Sequence, residues 1–440
     1  MITANKIYSK IILFLFATVS LASAQEVSTI DSGDTAWMLT STVLVLLMTL
    51  PGLAFFYGGL VRSKNILSVL VQCFAMAGIM SLLWIAVGYA IAAGGGESMY
   101  YGWNKDFLGL AHIAEDTVMD GGSIPESVWV TFQMTFIIIS PAIIVGAFAE
   151  RMKFTAILIF TVVWTLLSYL PMWYMVWGGG LFHGGASGNW LMKAGEHAID
   201  FAGGNVVHIN AGIAGLVACI FVGKRKGYPG PSLVPHQVPF VVLGAALLWV
   251  GWFGFNAGSA GGASGGAGMA MLTTQAAAAT AVVVWMLLEW IISKKPTAVG
   301  VATGAVAGLV GITPAAGTTT VMGAIAIGAI SSLVCFFAAT KLKRVFGFDD
   351  SLDVFGVHGI GGIVGALLTG WFVREGVDGG MAQVFVQFKS IVVTIVWSAI
   401  ASVIALLIAK VTVGLRVDDE TERVGLDLKE HGEEAYNDEN

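Results

Sequence analysis

Charge is what this sequence has least of. Asp, Glu, Lys and Arg make up 11% of its 440 residues, against about 25% in ordinary soluble domains. That scarcity excludes a solvated globule, and the basic residues fall in short clusters between apolar runs, so no nucleic-acid partner is expected. Cysteine is nearly absent too. Cys73, Cys219 and Cys335 lie inside apolar runs at no ligand spacing, which excludes a disulfide framework and a zinc site. No metal or other cofactor is expected. What the chain does have is 56% hydrophobic residues, 57 Gly and 14 Trp, with a mean hydropathy of +0.82. Gly is frequent where membrane helices pack closely, and Trp gathers at membrane interfaces. The composition is that of a polytopic membrane protein.

Lys6 and Lys10 precede a short apolar run from Ile11 to Leu21, followed by the small residues Ala22, Ser23 and Ala24. This pattern reads as a secretory signal peptide over residues 1–24. Beyond it, apolar runs of roughly twenty residues predict eleven transmembrane helices, near 36–57, 66–93, 127–149, 154–175, 203–222, 237–256, 269–292, 299–315, 321–340, 352–373 and 389–410. The glycine-rich segment 257–268 is expected to be a loop, and residues 411–440 a polar, acidic tail. One set of alternate connections holds Arg62, Lys64, Arg151, Lys153, Lys224, Arg225, Lys226, Lys294, Lys295, Lys341, Lys343 and Arg344; the other holds Lys105, Lys193, Arg374 and Lys389. The excess of basic residues marks the cytoplasmic side. The amino terminus is therefore expected outside and the carboxyl terminus inside, as a signal peptide would also require.

Two stretches 150 positions apart share one pattern: Asp200, seven residues, His208, with Gly212 and Gly215 following, and Asp350, seven residues, His358, with Gly362 and Gly365 following. With five spans in each half, the second half is inverted relative to the first. The expected fold is therefore all-α, two inverted five-helix repeats plus a final helix. Eight residues of helix advance about 12 Å, against a hydrocarbon half-thickness of about 15 Å. His208 and His358 should approach the midplane from opposite sides. Ionisable residues at that depth are costly and point to function. Neutral imidazoles there could pass a proton or accept one from an ammonium-like ligand. Two alternatives stand beside this reading: core histidines satisfied by backbone carbonyls, and axial ligation of haem. Asp200 and Asp350 open their helices, where capping and the macrodipole favour a carboxylate; Asp200 could also stabilise an arriving cation.

Phe132 and Phe136 share one face of the third span, Trp177 opens a Trp-Gly-Gly-Gly run in the outer connection after the fourth, and Trp252, Phe255 and Ser259 lie toward the end of the sixth. Singly, such aromatics read as interfacial belts. Phe136, Trp177 and Ser259 all fall near the outer face, where they could form a cation–π cup with one hydroxyl acceptor.

The runs Pro51–Arg62, Asp200–Asn210, Gly254–Ser259 and Asp353–Gly359 resemble the ammonium transporter family (Amt/Mep/Rh), in its bacterial Amt branch. The resemblance spans nearly the whole chain after residue 24. It implies eleven helices around a narrow hydrophobic pore, a homotrimer with three separate pores, a bacterial inner-membrane location surrounded by lipid, and no enzymatic activity. Residue by residue, it implies an outer ammonium-recruitment site at Phe136, Trp177 and Ser259. Below that it implies a phenyl gate at Phe136 and Phe255, and a twin-histidine pore at His208 and His358. Gln133 and Trp252 fit the same pattern. The tail, with Gly414-Leu-Arg416, Gly425-Leu-Asp427 and Tyr436, resembles the region that helps dock a PII-type signal protein. An Rh-type ammonia or carbon dioxide channel and an ammonium sensor are the alternative functions. Trp177 and Ser259 argue against the first, and a short tail against the second.

Overall fold

The protein is described here by a computed structural model covering residues 29–230 and 233–436. The expected signal peptide, residues 1–24, lies outside them. Nine helices are long and apolar enough to cross a membrane among the described residues: α1 (Ser32–Leu60), α2 (Ser63–Ala92), α3 (Glu126–Phe148), α4 (Phe154–Trp177), α5 (Gly204–Val222), α6 (Val238–Gly258), α7 (Gly265–Ser293), α9 (Val321–Phe346) and α11 (Met381–Val413). Two shorter apolar helices, α8 (Ala298–Ile312) and α10 (Phe355–Trp371), complete eleven.

The short helices are tolerated because their flanking backbone is covered by protein. At about 1.5 Å per residue, α8 falls well short of a bilayer core of about 30 Å. The turn that follows it buries Thr313, Ala315 and Ala316 completely. Non-helical backbone at membrane depth persists only where it is buried or lines a cavity. The break in α1 follows the same rule. Leu50 has non-helical angles (φ −122°, ψ 94°) before Pro51, which has no N–H to give to the helix ladder.

Several boundaries differ from the sequence expectation, and at the final helix and the glycine-rich segment the reason is local. The final helix begins at Met381 rather than 389, since its first turns carry Gln383 and Gln387 and interrupt the apolar run. Both side chains are buried: Gln383 donates to the His197 carbonyl and Gln387 to those of Ile199 and Ala366. Lys389, counted with a loop from sequence, therefore sits inside α11, where it pairs with Glu196 at 2.5 Å. The glycine-rich segment 257–268 is half helical, its non-helical part confined to residues 259–264. α6 runs through Gly258 and α7 starts at Gly265, with the Ser264 side chain accepting from the Ala267 N–H, a common N-cap arrangement.

The halves are joined by glycine at two crossings. Where α1 meets α6, a Cβ on Gly244 would lie 2.1 Å from the Phe56 nitrogen. Where α5 meets α10, a Cβ on Gly212 would lie 2.2 Å from the Gly359 nitrogen and 2.3 Å from its Cα. Small residues let such backbones approach. At the Lys/Arg-rich face the halves are tied by Arg151, which is fully buried. Its guanidinium donates to the carbonyls of Ala147, Ala149, Gly223 and Asp349 and to the Ser351 hydroxyl. Beside it Glu150 pairs with Arg62 at 3.0 Å and Arg225 at 3.2 Å. Burial alone would raise the Glu150 carboxyl, but the two guanidiniums outweigh it and hold it below its ordinary value.

The segment after α11 folds back against this face. Leu415, Val417 and Leu426 are buried. Asp427 accepts from the N–H groups of Leu67 and Ser68 at the start of α2, and Glu430 from that of Phe154 at the start of α4. Two tail carboxylates thus cap membrane helices from outside those helices.

Backbone sits under the missing Gly212 side chain, so Gly212→Ala cannot be absorbed by a rotamer change. It should destabilise the protein by about 1–3 kcal/mol or more, as overpacked cores are. Gly78, whose Cβ would meet nothing within 4 Å, supplies the control. Thermal melts in detergent should show a lower midpoint for Gly212→Ala and little change for Gly78→Ala; equal midpoints would contradict the close crossing.

Candidate functional site

Trp177 ends α4, released by the Gly178–Gly180 turn in which Gly179 takes φ +83°. Its indole N–H donates to the Asp200 carbonyl at 2.8 Å, which fixes the ring. Asp200 is in turn held by its own helix. Its carboxylate accepts from the N–H groups of Gly203, Gly204, Asn205 and Val206, at 2.5 to 3.2 Å. Burial pushes this carboxyl above the ordinary Asp value, against the pull of those four amides. Asp350 repeats the arrangement at α10, accepting from Val354 and Phe355 at 3.0 and 2.8 Å. Burial and the neighbouring Asp353 push it up to about 6. Both aspartates are helix caps, and the carboxylate hydrogen bonds of each go to backbone N–H groups of its own helix start.

The aromatic residues form a stack descending from Trp177. Its ring stands nearly perpendicular to Phe136, at 88° with centroids 6.3 Å apart. Phe136 lies face to face with Phe255 at 4.3 Å and 30°. Neither phenyl group has any exposed surface. Ser259 sits one helical turn beyond Phe255 and donates its hydroxyl to the Phe255 carbonyl at 2.8 Å, which leaves its oxygen lone pairs available to a donor.

Beneath Phe255 lie the two histidines. Each falls in a widened turn at the start of its helix, Gly204–Ile209 and Phe355–Gly359. The His208 ring is 5.9 Å from Phe255. It lies nearly parallel to Trp252 (5.4 Å, 17°) and meets the nearly coplanar His358 edge to edge (5.3 Å, 19°). The two Nδ1 atoms meet at 3.2 Å. Two bare lone pairs would repel at that distance and two N–H groups would clash, so one Nδ1 carries the proton and the other accepts it. The His208 Nε2 atom is buried with no hydrogen-bond partner. Around the pair the wall is apolar, with Ile139, Ile143, Leu248 and Val306 facing the same narrow cavity. With the two rings joined edge to edge through Nδ1, no iron can be held between these histidines, which removes axial haem ligation.

The structure therefore brings together Trp177, Phe136, Phe255, His208 and His358 in one column, with Ser259 beside its upper part. Sequence reasoning missed Thr313, which accepts the Trp252 indole N–H at 2.9 Å and so fixes the ring stacked on His208. It also missed Trp173, which donates to the Gln133 side chain at 2.9 Å and packs edge-on to Trp177 at 5.7 Å. Neither has a sequence signal of its own, because each is defined by a partner on another helix.

Comparison with known proteins bears on the whole chain. Residues 36–436 match the family described as Ammonium Transporter Family. An "Ammonium transporter" of Aquifex aeolicus is 46% identical, over 97% of this chain and 98% of that protein. Among solved structures, Candida albicans Mep2 superposes with a TM-score of 0.78 at 30% identity, over 89% of this chain and 88% of that one. A structure titled "Sensor Amt Protein" superposes at 0.80 with 28% identity, over 90% of this chain and 97% of that one.

Proposed function

The chain belongs to the Ammonium Transporter Family, and on that premise we propose that it carries ammonium across the membrane as ammonia, through the column described above. The observation that carries this reading is the sealed Phe136–Phe255 stack directly above a histidine pair in Nδ1 contact. Ammonium is recruited on the outer side, where the Trp177 and Phe136 faces offer cation–π contacts and the Ser259 oxygen accepts a hydrogen bond. An intact cation moving through the apolar section below would lose its hydration with nothing to replace it, at a cost of many kcal/mol. Giving up one proton removes that cost. The proton passes toward the histidine pair, and ammonia moves along its edge by hydrogen bonding to the Nε2 atoms. Potassium has no proton to give, and stops at the phenyl groups.

In this reading the protein lies in a bacterial inner membrane as a homotrimer, with the Lys/Arg-rich face and the folded tail in the cytoplasm. The family resemblance and the bias in basic residues support this arrangement. The tail forms part of the docking surface for a PII-type signal protein.

Reconstituted proteoliposomes test the pore. Trp177→Leu should raise the ammonium concentration needed for half-maximal flux by roughly two- to thirtyfold, the range for loss of a cation–π contact of about 0.5–2 kcal/mol. His208→Asp places an acid where a relay stood, and should admit a potassium leak that the unaltered protein lacks. If both variants kept normal concentration dependence and full potassium exclusion, the assigned roles would be wrong.

Vesicles of opposite sidedness test the tail. A PII-type protein should bind inside-out vesicles carrying the full chain, and fail to bind right-side-out vesicles or protein truncated after Lys410. Binding to the truncated protein would remove the tail from the docking surface, and binding only to right-side-out vesicles would reverse the orientation.

A further inference from the structure

The connection between α4 and α5 lies on the face opposite the Lys/Arg-rich one, and it folds back on itself where His183 and His197 form an isolated antiparallel bridge. The hydrogen bonds around them fix the kind of pair. Gly184 N–H donates to the Glu196 carbonyl at 2.7 Å and Ala198 N–H to that of Phe182 at 3.0 Å, so the two histidines exchange none between themselves. In such a non-hydrogen-bonded pair the Cα atoms approach to about 4.5 Å and both side chains stand on one face. Both residues are exposed, and their rings are nearly parallel, at 17° with centroids 6.2 Å apart.

The surroundings leave a nitrogen free on each ring. His183 Nε2 lies 2.7 Å from the Val176 carbonyl, which can only accept, so in the neutral ring Nε2 carries the proton and Nδ1 keeps its lone pair. A backbone carbonyl that holds the second nitrogen in this way is the usual support of a histidine metal ligand. The His197 ring makes no hydrogen bond among the described residues; only its backbone carbonyl is used, by Gln383. Metal–nitrogen bonds of about 2.0–2.1 Å place the centres of two coordinating imidazoles roughly 5–6 Å apart, close to the separation found.

Carboxylates are not part of the set. Glu196, beside His197, is held by the Lys389 ammonium and the Lys193 N–H. Among the described residues no three His, Cys, Asp or Glu converge on one point, so water completes the coordination. Imidazole suits copper, nickel and zinc, with copper(II) the tightest of the three, whereas magnesium and calcium take oxygen ligands.

We propose that His183 and His197 bind one divalent transition-metal ion, copper ahead of zinc, as a clip across the α4–α5 connection. The clip stands beside the aromatic column without belonging to it. Val176, bonded to His183, precedes Trp177, and His197 lies shortly before Asp200, whose carbonyl holds the Trp177 indole. A bound ion therefore joins the two chain segments that position that ring. The site has no motif in the sequence, because the bridge alone brings the two histidines together.

The test is isothermal titration calorimetry of the purified full chain, carrying no polyhistidine tag, with copper(II), zinc(II) and magnesium chlorides in turn. The unaltered protein should take up one copper ion per chain, zinc more weakly and magnesium not at all. His183→Gln and His197→Gln should each weaken copper binding by roughly a hundredfold or more, beyond the cost of losing an outer-shell partner. His236→Gln is the control, since both of its ring nitrogens are already bonded, to Val61 and Tyr436; it should leave copper binding unchanged. Electron paramagnetic resonance of the copper-loaded, unaltered protein should show two coordinated imidazole nitrogens, a readout that needs no substitution. The proposal is overturned if either glutamine variant at the bridge binds copper as tightly as the unaltered protein. It is overturned equally if the spectrum shows a single imidazole, or if two ions bind with one on each ring.

Discussion

The approach of α5 to α10 at Gly212 and Gly359 is the constraint on which the site depends. The distance between two backbones is set there by the absence of side chains, since a Cβ on Gly212 would fall 2.2 Å from the facing nitrogen. His208 lies four residues before Gly212 and His358 immediately before Gly359, so the crossing sets how far apart the imidazoles can be. The capping aspartates and widened turns rotate both rings toward each other, and the Nδ1 contact follows. Trp252, held by Thr313, lies nearly parallel to His208 and confines that ring. Each feature narrows the freedom of one ring.

Burying two titratable groups in an apolar column is expensive unless they satisfy one another. The pair does so with a single shared proton, which leaves the outward edges to face a substrate. A carboxylate at either position would hold a fixed charge and attract cations without requiring them to react. Imidazoles can relay a proton without standing as a permanent charge. In the proposed transport, two settings divide the work: an aromatic site near water where a cation is tolerated, and an apolar section where it is not. The phenyl stack between them is the boundary.

The duplication made the central part of this site legible in sequence. An Asp and a His eight residues apart, repeated after 150 positions, carried the span, the inversion and the meeting of the histidines, because the spacing survives in both halves. Trp252 could be placed on its helix, but its stacking on His208 could not be read without Thr313, sixty-one positions away. The start of α11 was hidden by glutamines that look polar in sequence and are buried against the segment before α5 in the fold. Residues 257–268 look like a flexible loop by glycine count, yet Ser264 caps a helix that begins among those glycines. The acidic tail gives no sequence sign that Asp427 and Glu430 cap two membrane helices. Long-range partners decide these features, and composition does not record partners.

The sharing of one proton between His208 and His358 is the claim on which the transport account turns, and nitrogen NMR of the protein labelled at histidine, in bilayers, measures it most directly. Removing one histidine at a time by His208→Asn or His358→Asn assigns the signals. The account predicts that one Nδ1 of the pair is protonated and the other is not, with a through-hydrogen-bond coupling linking them. Two protonated Nδ1 atoms, or two bare ones, would contradict it.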